Sequence, residues 1–226
     1  MKTLITTIIA LIGIAAFSSA QNDNKMKQNA QNDNKGKTVM LFNFENDNQG
    51  QVPSSFSTAA TGNPKSLKWG VVVDNRNKAV AQQALNSGSC YNLLVLDKVR
   101  FENFSVEVRI KAVSGDEDQG GGLVWRYIDK DNYYIARYNP LENNLRLYHI
   151  VKGSRKQLQS VDIEIKQGEW FTMAVEMKGN KIICSLNGKR LIETSDDTFK
   201  SAGFIGLWTK ADAVTFFDDL GIVAIK

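Results

Sequence analysis

From about Thr38 onward the chain alternates apolar and polar residues with a period of two, segment after segment. In "FSVEVRI" Phe104, Val106, Val108 and Ile110 share one face, and Ser105, Glu107 and Arg109 share the other. "WFTMAVEMK" and "NLRLYHI" alternate in the same manner. That period belongs to the β-strand, whose successive side chains point to opposite faces. "IICSLNGKRLI" sets Asn187-Gly188 between two such runs, a two-residue hairpin signal because both turn positions must tolerate positive φ. Clusters of Gly and Asn/Asp ("VSGDEDQGGG", "DKDN", "NPLENN", "VKGSRK") punctuate the remainder. Only "NKAVAQQALNSG" offers a helix, and it reads equally well as a strand and loop. An isolated sheet would leave its apolar face in water, so two antiparallel sheets must pack together. The expected fold is an all-β sandwich of the jelly-roll kind.

Residues 1–20, "MKTLITTIIALIGIAAFSSA", carry one early positive charge, an apolar run from Leu4 to Phe17, and small residues at Ser18 and Ala20. This is the pattern of a secretory signal peptide cleaved after Ala20, and the run is short for a membrane span. An exported, periplasmic or extracellular, protein is expected, with no membrane span in the mature chain. Residues 21–37 repeat QNDNK and hold almost nothing apolar, so they read as a disordered polar spacer. Residues 38–226 then form one domain. The formal charge of +4 falls by one when Lys2 leaves, and the remaining charges are interspersed. No basic stripe suggests nucleic acid. Cys90 and Cys184 survive cleavage, and a disulfide and a pair of buried thiols both stay open.

Three segments carry a family resemblance: "GGGLVWRYIDKDNYYIARYNPLENNLRLYHIVKGSRKQL", "GEWFTMAVEMKGNKIICSLNGKRLIE" and "GFIGLWTKADAVTFFDDLGIV". Together they resemble the concanavalin A-like lectin/glucanase superfamily. Within it they are most similar to a bacterial family of extracellular domains named for 3-keto-disaccharide hydrolysis. The resemblance runs from about Leu41 to the C-terminus. It implies a concanavalin A-like sandwich and a carbohydrate ligand, but fold alone does not choose among lectins, binding modules, adhesion domains and hydrolases.

Retaining glucanases of this fold carry an E-x-D-x-x-E strand motif, which holds acid and nucleophile on one face. The chain has none; "VDIEIKQGE", with Asp162, Glu164 and Glu169, is nearest and reads as edge charges. The single His149 has no acid or serine motif beside it in sequence, which argues against a Ser-His mechanism and a His-based zinc site. The Gly run 120–122 lacks the lysine and helix of a phosphate loop and reads as a flexible turn. No cofactor is indicated. Asp218 and Asp219 of "FFDDL" are the one place where a structural Ca²⁺ could find carboxylates, beside a plain hydrogen-bonding role.

What remains is an aromatic and basic set. "WRYIDKDNYYIARYNP" should be two adjacent strands with Trp125 and Tyr134 turned into the sandwich. The same parity puts Arg126, Tyr133 and Arg137 on the opposite, concave face, joined by Arg146 and Tyr148 and by Trp208 and Lys210. Sugars offer flat apolar C–H faces ringed by hydroxyls, which suits aromatic platforms beside fixed donors. A glycan-binding face and a half-buried core with a solubilising exterior are both open. A lectin-like domain is therefore the first functional expectation. A glycoside hydrolase acting on 3-keto-disaccharides, with Asp129, Asp131 or Glu142 at the rim, is the second. An adhesion module is the third.

Overall fold

The computed structural model describes residues 31–32 and 38–225. The expected signal peptide and most of the polar spacer lie outside them. No helix occurs among the described residues, and none is therefore long and apolar enough to cross a membrane.

Among the described residues sixteen strands pair antiparallel into two sheets. The first sheet runs β1 (Gln31–Asn32), β2 (Thr38–Phe42), β16 (Val214–Ala224), β7 (Phe104–Ser114), β12 (Trp170–Lys178), β13 (Lys181–Leu186) and β14 (Lys189–Ser195). A hairpin of β4 (Trp69–Asp74) and β5 (Asn77–Gln82) hangs on β16 through β5. The second sheet runs β11 (Ser154–Asp162), β10 (Asn144–Val151), β9 (Asn132–Asn139), β8 (Gly121–Asp129), β15 (Phe204–Lys210), β6 (Tyr91–Leu96) and β3 (Phe56–Thr61). The helix alternative for "NKAVAQQALNSG" resolves into β5 and a following loop. Asn187 and Gly188, at φ of 48° and 76°, make the expected turn between β13 and β14.

The main core lies between the sheets and follows the predicted parity. Phe104, Val106, Val108 and Ile110 are fully buried and face Leu123, Trp125, Tyr134, Ala136, Leu145 and Leu147 of the other sheet. The Trp125 and Tyr134 rings stack with centroids 5.6 Å apart. Both cysteines are buried free thiols, Cys184 on β13 and Cys90 just before β6, and burial pushes the Cys184 thiol up to about 12.

The glycine run is not a flexible turn. Gly121 and Gly122 open β8 and are buried. A Cβ on Gly121 would sit 2.5 Å from the carbonyl oxygen of Trp208 and 2.9 Å from the Phe217 ring, so only glycine lets these strands approach.

The outer face of the second sheet is strongly concave. Arg155 on β11 lies 5.3 Å from the ring centroid of Tyr91 on β6, five strand spacings away. In a flat sheet that separation would be about 24 Å. Tyr133 on β9 likewise reaches Thr61 on β3, with their oxygens 2.7 Å apart. This curvature closes the face on itself. Tyr91, Leu93, Val124, Tyr133, Ile135, Tyr148 and Trp208 form a second apolar cluster, and each is at most 4% exposed.

Candidate active site on the concave face

The charged groups collect at one end of the concave face, where β9 turns into β10 and β15 ends. Arg137 leaves β9 on the concave side, as parity requires, and is 1% exposed. Its guanidinium donates to Asn144 Oδ1 at 3.0 Å and Glu142 Oε2 at 3.0 Å, with Tyr148 Oη at 3.4 Å. Arg146, the cross-strand partner of Arg137, meets the same Glu142 oxygen at 2.6 Å. Lys210 pairs with Asp118 Oδ2 at 2.9 Å, and Asn139 donates to Asp118 Oδ1 at 3.0 Å. The same Asn139 accepts from the backbone N–H groups of Leu141 and Glu142, so one amide orders the Asp118 side and the Glu142 turn together.

The two carboxyls are driven apart in acidity. Burial raises Asp118, and nearby Glu142 adds to the rise, against the opposing pull of Lys210 and Arg137. Burial also opposes ionisation of Glu142, but Arg137, Asn144 and Arg146 outweigh it and hold its pKa below the ordinary value. Two neighbouring carboxyls shifted in opposite directions, the raised one bonded to the Lys210 ammonium, have the makings of an acid and a base. The Glu142 side chain is also 39% exposed, so a ligand can reach it.

Arg155 closes the other side of the cluster. Its guanidinium lies over the Tyr148 ring at 4.6 Å as well as over Tyr91, and its Nη1 is buried without a hydrogen-bond partner. No carboxylate among the described residues is within ion-pair distance of it. This is an uncompensated cation held between two aromatic rings.

Of the residues expected on this face, the structure brings Arg137, Arg146, Tyr148 and Lys210 into one network. Tyr133 and Trp208 stand on the same face but beneath it, buried in the aromatic floor rather than presented as platforms. Arg126 is elsewhere, and the parity expectation fails there. A bulge between Trp125 and Asp129 puts Arg126 at φ of 46°. Its buried guanidinium donates to the backbone carbonyls of Phe199, Glu102 and Gly179. Bulges re-aim a side chain in this way because the extra residue breaks the period of two.

Asp118 and Arg155 were missed because both sit in segments that read as turn punctuation. Asp129 and Asp131 stay within the β8–β9 turn, bound to Asn132 and Lys130. Asp162, Glu164 and Glu169 are exposed. His149 gains neighbours that its sequence surroundings lack: Thr198 Oγ1 at 2.9 Å and Asp196 Oδ2 at 3.9 Å. Among the described residues no three acidic, His or Cys side chains converge as a metal site. Asp218 instead accepts from Asn77 at 2.6 Å, and Asp219 pairs with Arg109 at 3.2 Å.

The fold defines a concanavalin A-like jelly-roll sandwich. Over residues 36–222 the chain matches the family described as the 3-keto-alpha-glucoside-1,2-lyase-like domain, and it belongs to that family. Among solved structures, the carbohydrate-binding module CBM66 from Bacillus subtilis superposes with a TM-score of 0.61 at 17% identity, covering 74% of this chain and 93% of that one. Domain 4 of AbnA, a GH43 extracellular arabinanase from Geobacillus stearothermophilus in complex with arabinotriose, gives 0.54 at 15% identity, with 81% and 90% covered. The Bacillus licheniformis β-glucanase gives 0.58 at 11% identity, with 83% and 98% covered. No curated protein sequence matches the chain.

Proposed function

We propose that this chain is an exported carbohydrate-active domain that binds a 3-keto-α-glucoside at the charged end of its concave face and cleaves it by 1,2-elimination. The observation that carries the reading is the geometry that sets Glu142, held by Arg137 and Arg146, beside the Lys210-paired Asp118, both ordered by Asn139, with the two carboxyls shifted in opposite directions. Family membership supports the substrate class.

The chemistry follows from the ketone. A carbonyl at C3 acidifies the C2 proton, so a carboxylate suffices as base. Glu142 removes that proton, and the electron pair moves toward the C3 oxygen as an enolate. Arg146 and the uncompensated Arg155 supply positive charge for it. The enolate then reforms the C3 carbonyl and closes the C1=C2 bond as the C1–O bond breaks, the C1–O electron pair leaves with the aglycone oxygen, and the Asp118–Lys210 pair delivers the proton. The products are an unsaturated keto sugar and a free alcohol. Solvent returns the proton from Glu142 to the Asp118–Lys210 pair.

The test is release of a chromogenic aglycone from a synthetic 3-keto-α-glucoside, with the sugar product followed by NMR. The reading expects an unsaturated C1–C2 product and loss of turnover in Glu142→Gln. Water incorporated at C1 would make the domain a hydrolase. Saturable binding without cleavage would leave the lectin-like reading.

A further inference from the structure

The opposite face of the molecule carries a separate cavity. Strand β16 pairs with β5 through Thr215–Phe217 and with β2 through Leu220–Val223, on the same edge and in succession. Between the two contacts the register slips at Asp218 and Asp219, and neither β5 nor β2 pairs with these two residues. The result is a notch of about 310 Å³, close to the lower size of small-molecule sites, roughly 300 Å³. Its wall includes Asp74, Asn77, Arg109, Trp170, Asp218 and Asp219.

The groups in this wall are oriented before any ligand arrives. Trp170 donates its indole N–H to Asp74 Oδ2 at 3.1 Å, and Lys111 holds the same carboxylate at 2.9 Å. The Arg109 guanidinium lies over the Trp170 ring, 4.8 Å from its centre, and meets Asp219 through Nη1. Five N–H donors on a guanidinium leave it capacity beyond that one bond. Arg109, Trp170 and the two aspartates stand on strands, which fix a site more closely than loops do.

We propose that this notch is a second saccharide site, taking one neutral monosaccharide unit on the face opposite the charged cluster. A guanidinium stacked on an indole, with an amide and carboxylates around it, presents fixed donors and acceptors that match the hydroxyls around a sugar ring's edge. Asp74, Asp218 and Asp219, with Glu45 at the rim, outnumber the cations, so the site rejects anionic sugars. The proposal is independent of the reaction assigned to the concave face.

The experiment uses the ¹⁵N-labelled full chain titrated with millimolar glucose, galactose, mannose, glucosamine and glucuronate. At least one neutral sugar should shift the Trp170 indole and Asp219 amide resonances, and glucuronate should shift neither. Arg109→Gln and Asp219→Asn, whose native side chains are 40% and 48% exposed, should fold normally. Each should weaken the affinity by about tenfold, the scale of one charged hydrogen bond. Glu142→Gln should leave it unchanged. Silence of both resonances with every neutral sugar, or equal shifts in both variants, overturns the proposal. Binding of glucosamine or glucuronate alone overturns the neutral-sugar assignment.

Discussion

The guanidinium of Arg155 lies 4.6 Å from the centre of the Tyr148 ring, and its buried Nη1 meets no hydrogen-bond acceptor. A partly buried cation with one unpartnered nitrogen and no counter-charge costs stability, and the aromatic faces offset only part of that cost. Replacing it with Gln should therefore leave the melting temperature equal or higher. Turnover of the keto-glucoside should fall by about 10²–10³, the scale of one lost electrostatic stabiliser. A variant that unfolds, or one that turns over normally, would remove Arg155 from the site.

Arg126 makes the contrasting case. It is 2% exposed and satisfies three backbone carbonyls from separate loops. Arg126→Ala should destabilise by about 2–4 kcal/mol, through orphaned acceptors and a cavity. Trp125→Ala should cost about 3–5 kcal/mol through the cavity alone. Denaturant unfolding measures both. Sugar recognition at low temperature should survive the Arg126 change, because its guanidinium points away from the concave face.

Strand parity placed Trp125, Tyr134, Arg137, Arg146 and Tyr148 on their observed faces, because burial enforces a strict period of two. Asn187-Gly188 announced its own turn. Arg126 was misplaced because a bulge is a local slip that periodicity cannot register. The burial of Tyr133 and Trp208 depends on sheet curvature, a property of seven strands together. The acid–base pair depends on Asp118 and Glu142, both in connecting segments that approach only when β8, β9, β10 and β15 align.

Export predicts a mature N-terminus at Gln21. Mass spectrometry of protein recovered from the periplasm or medium of an expressing bacterium should find it. A chain that still begins at Met1, or remains in the cytoplasm, would refute the export reading.

The stability of the domain should carry a signature of Asp218. Burial, with Asp219 adding to it, raises this carboxyl to about 6, against the opposing bonds from the Asp219 amide and Asn77 and the charge of Arg109. In the unfolded chain it titrates near 3.9. The folded state therefore holds the proton more tightly. Its contribution is fully present below about pH 4 and is lost as pH rises through about 6. The loss amounts to at most roughly 3 kcal/mol by linkage, for a side chain that is 2% exposed. Asp218→Asn removes the titration while keeping an acceptor for the Asp219 N–H, and Asn77 can turn its own amide to face the new NH₂. Unfolding free energies of the two proteins, compared between pH 4 and 7.5, cancel the titration of every other group. Wild type should lose stability relative to the variant across that interval. A difference that stays constant with pH would mean that Asp218 is ionised at its ordinary value and that the notch floor is wet.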